Sequence, residues 1–258
     1  MPKNKLYFTK YKAKGPDYHY QQINRLKPFC FNAFVLARYQ LHIKFISDYI
    51  KKSGQTKPTK ILDVGCGDGT LLYLLKKSLK RCKFKLYGID SSKPALKVAK
   101  EKNPQVNFIK GKATDLKYRN NTFDLVISSD VIEHLNNGEK MIKELRRVCK
   151  KNGFVIVGTP IRITEQPIDK LHIKEYYPNE FKQMFRKYFS SIKLIKSHPL
   201  LFYLLYKQPV NFGGKKIFLF YLLINFLTII FNINPFVKVQ KEKRGYFTYM
   251  FLIAKKTT

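Results

Sequence analysis

The sequence predicts an α/β protein whose strands and helices alternate around a largely parallel sheet. A short apolar run at 60–64 ends in a glycine-rich loop, and a leucine-rich helical stretch follows at 70–80. Short apolar strands and helical stretches continue to alternate as far as residue 158. This alternation is typical of parallel sheets, because right-handed crossovers place the helices on the sheet faces. The chain has 258 residues, 45% of them hydrophobic, so it can bury a core, and global disorder is excluded.

The individual elements follow from periodicity and from the residues that begin them. An amphipathic helix is predicted over 33–50, where Leu41 and Ile46 lie near one face. Pro178 begins a late helix, because proline is favoured in the first helical turn. Strands are predicted at 60–64, 85–90, 106–109, 123–128, 154–158, 192–195 and 246–254, and further helices at 70–80, 93–102, 138–150 and 178–188.

Residues 217–237 form an uncharged stretch of 21 residues that a plain α/β domain does not require. Its length is enough to cross a bilayer. Asn225, Asn234 and Pro235 interrupt it, however, and a predicted strand follows it, so a transmembrane span is disfavoured. Two interpretations remain for this stretch and the apolar piece at 199–206. They form either a helical pair or lid packed on the domain, or an interfacial element that docks on a membrane.

The chain is strongly basic, and the excess charge concentrates at its two ends. Lys and Arg number 50 and Asp and Glu 17, so the formal net charge is +33. Residues 1–60 hold 13 basic and 2 acidic residues, and residues 181–258 hold 14 and 1. Such a field attracts nucleic acid, phosphorylated substrates or an anionic membrane surface, and composition does not choose among them.

The cysteines and the N-terminal sequence indicate the cellular compartment in which the protein is expected. The four cysteines show no CxxC pairing, which disfavours a zinc ribbon or a disulfide scaffold. The first 20 residues lack the apolar segment of a secretory signal. We therefore expect a cytoplasmic protein, with peripheral attachment to a membrane left open.

The strongest chemical signal is the glycine-rich loop 65–69, between the first strand and its helix. Glycines let the backbone turn tightly and approach a ligand closely, and the helix N-terminus beyond can meet an anionic group. Asp63 precedes the loop, and Asp90 ends the second strand, where an acid accepts hydrogen bonds from ribose hydroxyls. The glycine spacing is G-x-G-x-G instead of G-x-G-x-x-G, which disfavours a nicotinamide dehydrogenase.

Five segments resemble, in order and spacing, the class I S-adenosylmethionine-dependent methyltransferases, especially small-molecule and ubiquinone-pathway-like members. They are ILDVGCGDGT (61–70), YGIDSSKPALKVAK (87–100), GKATDL (111–116), FDLVISSDVIEHL (123–135) and LRRVCKKNGFVIVGTP (145–160). The resemblance implies methyl transfer from S-adenosylmethionine. It also implies a Rossmann-like, seven-stranded sheet with helices on both faces, whose last strand (within 244–256) is antiparallel. The chain then divides into an N-terminal arm and helix (1–55) that covers cofactor and substrate, a core (56–198 and 244–258) and an apolar helical insertion (199–243).

The same resemblance implies the cofactor site. Asp63 and the glycine loop would face the methionine part, and Asp90 would bind the ribose. Thr114 and Asp115 would flank the adenine. The full predicted set is Asp63, Gly65, Cys66, Gly67, Asp68, Gly69, Asp90, Ser91, Thr114, Asp115 and Ser129.

His134 and His172 are the candidate catalytic residues. Asp130, Glu133 and His134 resemble in order the metal-coordinating stretch of ubiquinone-pathway O-methyltransferases. His134 is interpreted as a structural residue, a base or a metal ligand, and no metal site is assigned. His172 is either an acceptor-site base or a loop residue bonded to the backbone. The predicted substrate-binding residues are Tyr18, His19 and Tyr176.

We expect a methyltransferase that acts, at oxygen, on a small or lipid-linked acceptor near a membrane surface. The apolar insertion 199–243 motivates the lipid part, because it can shape an apolar pocket or dock on an anionic membrane. One alternative is an RNA methyltransferase that binds nucleic acid through its basic termini. Another is a non-catalytic subunit that keeps the cofactor fold. Exocyclic-amine methylation of DNA is disfavoured, because the tetrad Asn-Pro-Pro-Tyr is absent.

Overall fold

The computed structural model describes residues 11, 14–53, 58–80, 82–212, 215–240 and 245–257. Most of the aromatic and basic segment 1–13, one part of the basic termini invoked for the nucleic-acid alternative, lies outside the described residues. The described part has the predicted α/β architecture, with one large sheet between two layers of helices.

The sheet has the mostly parallel order that the sequence predicts. The strands are β1 (Thr59–Val64), β2 (Phe84–Asp90), β3 (Asn107–Lys110), β4 (Phe123–Ser129), β5 (Cys149–Pro160), β6 (Ser191–Pro199), β7 (Val210–Phe212), β8 (Lys215–Ile217), β9 (Val239–Gln240) and β10 (Phe247–Lys255). The main sheet has the order β3-β2-β1-β4-β5-β10-β6-β9. Strands β1 to β5 pair in parallel, and β10 runs antiparallel between β5 and β6. The sheet has eight strands instead of seven, because β9 adds a two-residue edge strand, too short to leave a periodic signal.

Helices cover both faces of the sheet. They are α1 (Tyr18–Ile23), α2 (Ala33–Ser53), α3 (Thr70–Ser78), α4 (Lys93–Lys102), α5 (Gly138–Val148), α6 (Pro178–Arg186), α7 (Leu200–Lys207) and α8 (Leu219–Phe231). Successive residues of a strand point to opposite faces, and the core divides accordingly. Leu62 packs in the core that includes α5 and α6, and Ile61 packs in the core that includes α2, α3 and α4.

The segment between β6 and β10 contains α7, a β7–β8 hairpin and α8. Its helices pack through Tyr206 and Ile224 against Phe31 and Ala33, at the beginning of α2. The sequence predicts helices here but not the hairpin, whose strands have three residues each. Within the described ranges, no helix has both the length and the apolar character that spanning a membrane requires.

Candidate active site

A cavity of about 790 Å³ opens at the carboxyl ends of β1, β2 and β4, where the sequence predicts the site. Asp63, Asp90 and Ser129 line it from those three strand ends. Open α/β sheets bind ligands at this edge. Small-molecule sites usually enclose about 300–1,000 Å³. The volume therefore suits a nucleoside-sized ligand with a second small molecule beside it.

The glycine loop after β1 turns back over the end of β2. The N–H of Gly65 donates to the carbonyl of Ile89 at 2.7 Å, and that of Gly67 donates to Asp90 Oδ2 at 2.9 Å. Gly67 has a φ of +54°, and a Cβ there would lie 2.1 Å from Tyr11 Oη. The loop therefore favours glycine at this position because of its backbone conformation, and a side chain there would displace Tyr11.

Two carboxylates define the polar side of the cavity. Asp90 accepts hydrogen bonds from the N–H groups of Gly67 and Ser92, at 2.9 and 2.8 Å. Asp63 is buried, and its desolvation, together with the charge of Asp90, raises the pKa of its carboxyl to about 8. A cationic ligand group beside Asp63 would favour the ionised form again. The cavity is thus suited to a ligand that bears hydroxyl groups and a positive charge.

The structure brings most of the predicted cofactor residues to this cavity, although not all. Those that line it are Asp63, Gly65, Cys66, Asp90, Ser91, Thr114 and Ser129. Gly67, Asp68, Gly69 and Asp115 do not line it. Asp115 lies on an exposed loop, where its carboxylate pairs with Lys117 at 2.7 Å. The structure therefore gives no support for a contact between Asp115 and an adenine.

Asp68 holds the N-terminal arm instead of lining the cavity. Its Oδ2 accepts hydrogen bonds from the N–H groups of His19 and Tyr20, at 2.9 and 3.3 Å. Tyr11 and His19 of this arm line the cavity. Tyr18, predicted to bind substrate, lies beside the ring of His19 and does not line the cavity.

The opposite side of the cavity contains the two candidate catalytic histidines. His172 Nδ1 lies 2.6 Å from Glu175 Oε1, and the Glu175 side chain is only 2% exposed. His134 Nδ1 lies 3.0 Å from the carbonyl oxygen of Leu171, and the two histidine rings are 4.9 Å apart. Burial lowers the pKa of His172, but its hydrogen bond to Glu175 and nearby negative charges outweigh this and raise the pKa.

Asp130 links the loop after β4 to α2. It adopts a φ of +56° and forms an ion pair with Arg38 at 2.8 Å. The Arg38 guanidinium lies 4.8 Å from the ring centres of Phe34 and Tyr249. In sequence, Asp130, Glu133 and His134 resemble a metal-coordinating stretch. In the structure, Asp130 instead forms its ion pair with Arg38.

Three other groups of metal-ligand type converge. Glu133, His134 and His172 each have one ligand atom within 4.8 Å of the others'. Thr159 donates a hydrogen bond to Glu133 Oε2, whereas the buried Oε1 has no hydrogen-bond partner within the described residues. Burial and the charge of Asp130 raise the pKa of this carboxyl to about 7. Of the described residues, these are the ones that could hold a metal ion.

Several residues of the cavity were not predicted. Tyr39 of α2 and the lysines at 140 and 170 line it, and Glu175 supports His172 from behind. Tyr39 gives no sequence signal, because it belongs to an ordinary amphipathic helix. Tyr176, by contrast, is 3% exposed and packs near Phe181 in the core, so its predicted contact with substrate is not supported.

Comparison with known proteins gives one consistent family. A family model described as "Methyltransferase domain" matches residues 62–157. The ubiquinone/menaquinone biosynthesis C-methyltransferase of Campylobacter jejuni is 32% identical over 141 residues, 54% of this chain and 57% of that protein. The ajmaline N-methyltransferase of Rauvolfia serpentina is 38% identical over 110 residues, 40% and 36% of the two chains. The chain thus spans about a third to just over half the length of these relatives.

One relative matches over a longer stretch, and solved structures match the fold. The demethylmenaquinone methyltransferase of Staphylococcus aureus is 29% identical over 189 residues, 70% of this chain and 73% of that protein. An S-adenosylmethionine-dependent methyltransferase of Thermotoga maritima aligns with a TM-score of 0.55 at 18% identity, covering 86% and 92% of the chains. The [4+2]-cyclase SpnF aligns with a TM-score of 0.53 at 15% identity, and the alignment covers 78% of this chain and 75% of that one. These structural likenesses establish the fold alone.

Proposed function

Because the chain belongs to the class I S-adenosylmethionine-dependent methyltransferases, we propose that it methylates, at oxygen, a small or lipid-linked acceptor near a membrane surface. One observation carries the proposal. A single cavity joins the two carboxylates at the strand ends to a histidine that is hydrogen-bonded to a buried glutamate. Such a cavity offers a methyl-donor site and a base for an acceptor hydroxyl side by side.

The donor side fits the cofactor of the family. The buried carboxyl of Asp63 and the strand-end position of Asp90, both on the cavity wall, suit an adenosine with a charged amino-acid tail. Asp90 would bind the ribose hydroxyls, and Asp63 would face the ammonium group. When bound, S-adenosylmethionine would supply a methyl group on a sulfonium; the acceptor oxygen would bond to this methyl carbon in line as the carbon–sulfur bond breaks, and S-adenosylhomocysteine would leave. The residues of the chain then have to orient the acceptor and remove its proton.

The acceptor side favours oxygen. The names of the relatives include an N-methyltransferase, C-methyltransferases and an O-methyltransferase. Sequence similarity therefore does not determine whether the acceptor atom is nitrogen, carbon or oxygen. A hydroxyl group must lose its proton as it is methylated, and a positioned histidine is well suited to take it. The hydrogen bond to Glu175 fixes a proton on Nδ1 of His172. The other nitrogen, Nε2, lies 3.9 Å from Asp169 Oδ2 and would be the atom that takes the acceptor's proton. His134 lies next to it and would help to orient the same hydroxyl.

The exposed surface of α8 supports the lipid part of the proposal. The buried side of this helix includes the polar Asn225 and Thr228, which are hydrogen-bonded to the backbone. The residues that face solvent are apolar and 44–59% exposed: Leu219, Leu222, Leu223, Phe226, Ile230 and Phe231. Large exposed apolar patches mark binding surfaces for proteins, membranes or ligands. Helix α8 therefore exposes most of its large apolar side chains, as expected of a helix that meets lipid.

The charges around α8 favour an anionic membrane as that partner. Residues 181–240 contain no acidic residue. Exposed lysines at 207, 216 and 238 lie within the insertion, on either side of α8 in the sequence. Apolar helices flanked by basic residues bind anionic interfaces through burial and electrostatic attraction together. An acceptor dissolved in the membrane would then be within reach of the docked enzyme.

The test is transfer of a tritiated methyl group from S-adenosylmethionine to extracted membrane lipids. We expect label in a compound soluble in organic solvent, and we expect it to remain there after treatment with base, because a methyl ether is stable to base. Asp90→Ala should form no labelled compound. Label that enters added RNA instead, with steeply salt-dependent RNA binding, would support the nucleic-acid alternative. Binding of the donor without transfer to lipid, RNA or small-molecule extracts would support a non-catalytic subunit.

A further inference from the structure

We propose that residues 24–30, here called the apolar loop, form a second half of the membrane-docking face. We further propose that anionic lipid bound there stabilises the N-terminal arm over the cofactor cavity. The inference rests on the proposed function, because it assumes that the exposed side of α8 meets a membrane. It adds a segment from the opposite end of the sequence and links docking to the cofactor.

The apolar loop displays two large apolar side chains to solvent. Leu26 is 91% exposed and Phe29 is 89% exposed, more than any other large hydrophobic residue described. The backbone that carries these two side chains forms a hydrogen-bonded turn. The N–H groups of Cys30 and Phe31 both donate to the carbonyl of Lys27 at 3.0 Å. A soluble surface gains nothing from two such side chains on an ordered turn, whereas a membrane interface can bury both.

The apolar loop is attached to α8 at both of its ends. At one end, Arg25 donates to the carbonyl of Ile229 at 3.1 Å and to Asn232 Oδ1 at 2.8 Å. At the other, the carbonyl of Phe31 accepts hydrogen bonds from the Tyr221 hydroxyl and the Asn225 amide, at 2.6 and 2.9 Å. The loop therefore lies along the same helix whose apolar side is exposed, and the two segments form one composite face.

The positive charge of this face favours an anionic membrane over a second copy of the chain as the partner that covers its apolar side chains. Arg25 and Lys27 lie within the loop, and no acidic residue occurs in 18–47 or 181–240, the ranges that contain the loop and α8. A second copy of the chain would bring the same positive charge against it, so self-association is opposed. An interface of anionic lipid neutralises the lysines and arginines while it buries the apolar side chains.

The loop continues directly into the arm that covers the cofactor cavity. Asn32 N–H donates to the carbonyl of Gln22 at 2.8 Å and so ties the end of the loop to α1. In α1, His19 lines the cavity, and its N–H is bound by Asp68 in the glycine loop. Whatever fixes the apolar loop thus also favours the arm in this position. Lipid and cofactor would stabilise one arrangement, and each would raise the affinity for the other.

The experiment compares the full-length protein with Leu26→Ser/Phe29→Ser, and uses Tyr177→Ser as a matched control. Tyr177 is 50% exposed and lies outside the face. Binding to phosphatidylglycerol and phosphatidylcholine vesicles is measured by flotation. The affinity for tritiated S-adenosylhomocysteine is measured by equilibrium dialysis, with and without each vesicle. We expect the double variant to lose roughly tenfold or more in affinity for phosphatidylglycerol.

The outcomes separate the inference from the proposed function. For the wild type and the control, phosphatidylglycerol should tighten S-adenosylhomocysteine binding several-fold, and the double variant should lose this gain while binding normally without vesicles. Equal flotation of all three proteins would overturn the role of the apolar loop and leave docking through α8 intact. If the double variant lost flotation but phosphatidylglycerol changed its affinity for S-adenosylhomocysteine as much as it changes that of the wild type, the coupling would be overturned. A wild type that binds neither vesicle would contradict the membrane part of the proposed function itself.

Discussion

The Nδ1 atom of His172 lies 2.6 Å from a carboxylate oxygen of the buried Glu175. The distance is that of a charge-assisted hydrogen bond, so Glu175 determines which nitrogen of the ring carries the proton. Glu175 itself does not line the cavity, and its other oxygen has no hydrogen-bond partner within the described residues. The pair therefore has the arrangement of a base with a supporting carboxylate.

Replacement of either member should impair methyl transfer without preventing donor binding. We expect His172→Ala to lower the rate by roughly a hundredfold and Glu175→Gln by about tenfold, in line with the usual effect of a general base. Nitrogen NMR should show the proton of His172 redistributed between its nitrogens in Glu175→Gln. The exposed Glu101→Gln serves as control. An unchanged rate in both variants would exclude the base role.

The buried carboxyl of Asp63 should make stability depend on pH. Its pKa is about 8 in the folded protein and about 3.9 in an unfolded chain. Between these values the folded state holds a proton that the unfolded state has lost, so the free energy of unfolding falls as the pH rises. The slope from this group is at most about 1.4 kcal/mol per pH unit. We expect Asp63→Asn to reduce the fall between pH 7 and 8, measured by urea unfolding, and Asp48→Asn to leave it unchanged.

The same group should release a proton when the donor binds. An ammonium group beside Asp63 favours the carboxylate, so binding at pH 7 converts a protonated group to an ionised one. Calorimetric titrations in two buffers of different ionisation enthalpy measure the number of protons released. We expect close to one for the wild type and close to none for Asp63→Asn. Equal proton release by the two proteins would show that another group titrates.

Asp68 should control the arm and not the chemistry. Loss of its hydrogen bonds to His19 and Tyr20 should free the arm, because bonds to a charged group contribute about 1.5–3 kcal/mol each. We expect Asp68→Ala to speed hydrogen exchange at those two amides and to weaken S-adenosylhomocysteine binding roughly tenfold or more. Asp115→Ala, on the exposed loop, should leave both unchanged. If the two variants behaved alike, the assignment of Asp68 to the arm would be wrong.

The buried Asn225 and the exposed apolar residues of α8 give opposite expectations for the two sides of this helix. Asn225 accepts hydrogen bonds from Ala33 N–H and the Tyr206 hydroxyl and donates one to the carbonyl of Phe31. Asn225→Ala should therefore lower the free energy of unfolding by about 3 kcal/mol. Leu222→Ser and Phe226→Ser should change it by only about 0.5 kcal/mol, because these side chains are exposed. Their effect should instead be on binding to anionic vesicles.

Much of the fold could be predicted from the sequence, because parallel strands leave continuous apolar runs and the glycine loop has a fixed position between strand and helix. Asp63 and Asp90 could be placed for the same reason, since strand ends meet at one sheet edge. Elements of two or three residues, such as β9, leave no periodic signal. The β7–β8 hairpin escaped prediction in the same way.

The rest of the site depends on contacts between distant segments. Tyr11 and Tyr39 reach the cavity through the arm and α2, and the sequence alone does not orient either one. Asp115 and Tyr176 were predicted at the cavity from motif position, but one is drawn to Lys117 on an exposed loop and the other is buried in the core. The exposure of Leu26 and Phe29 could not be predicted at all, because an apolar residue in sequence is more often buried than displayed.

The most direct test of the central claim is a calorimetric titration of S-adenosylmethionine into the wild type and Asp90→Ala. Asp90 is the residue at which the glycine loop and the end of β2 meet, through its hydrogen bond from Gly67. We expect one donor molecule bound per chain in the wild type, and no measurable binding in Asp90→Ala at the same protein concentration, with the fold preserved by circular dichroism. Binding that is fully retained in the variant, or absent from the wild type, would contradict the assignment of this cavity to the methyl donor.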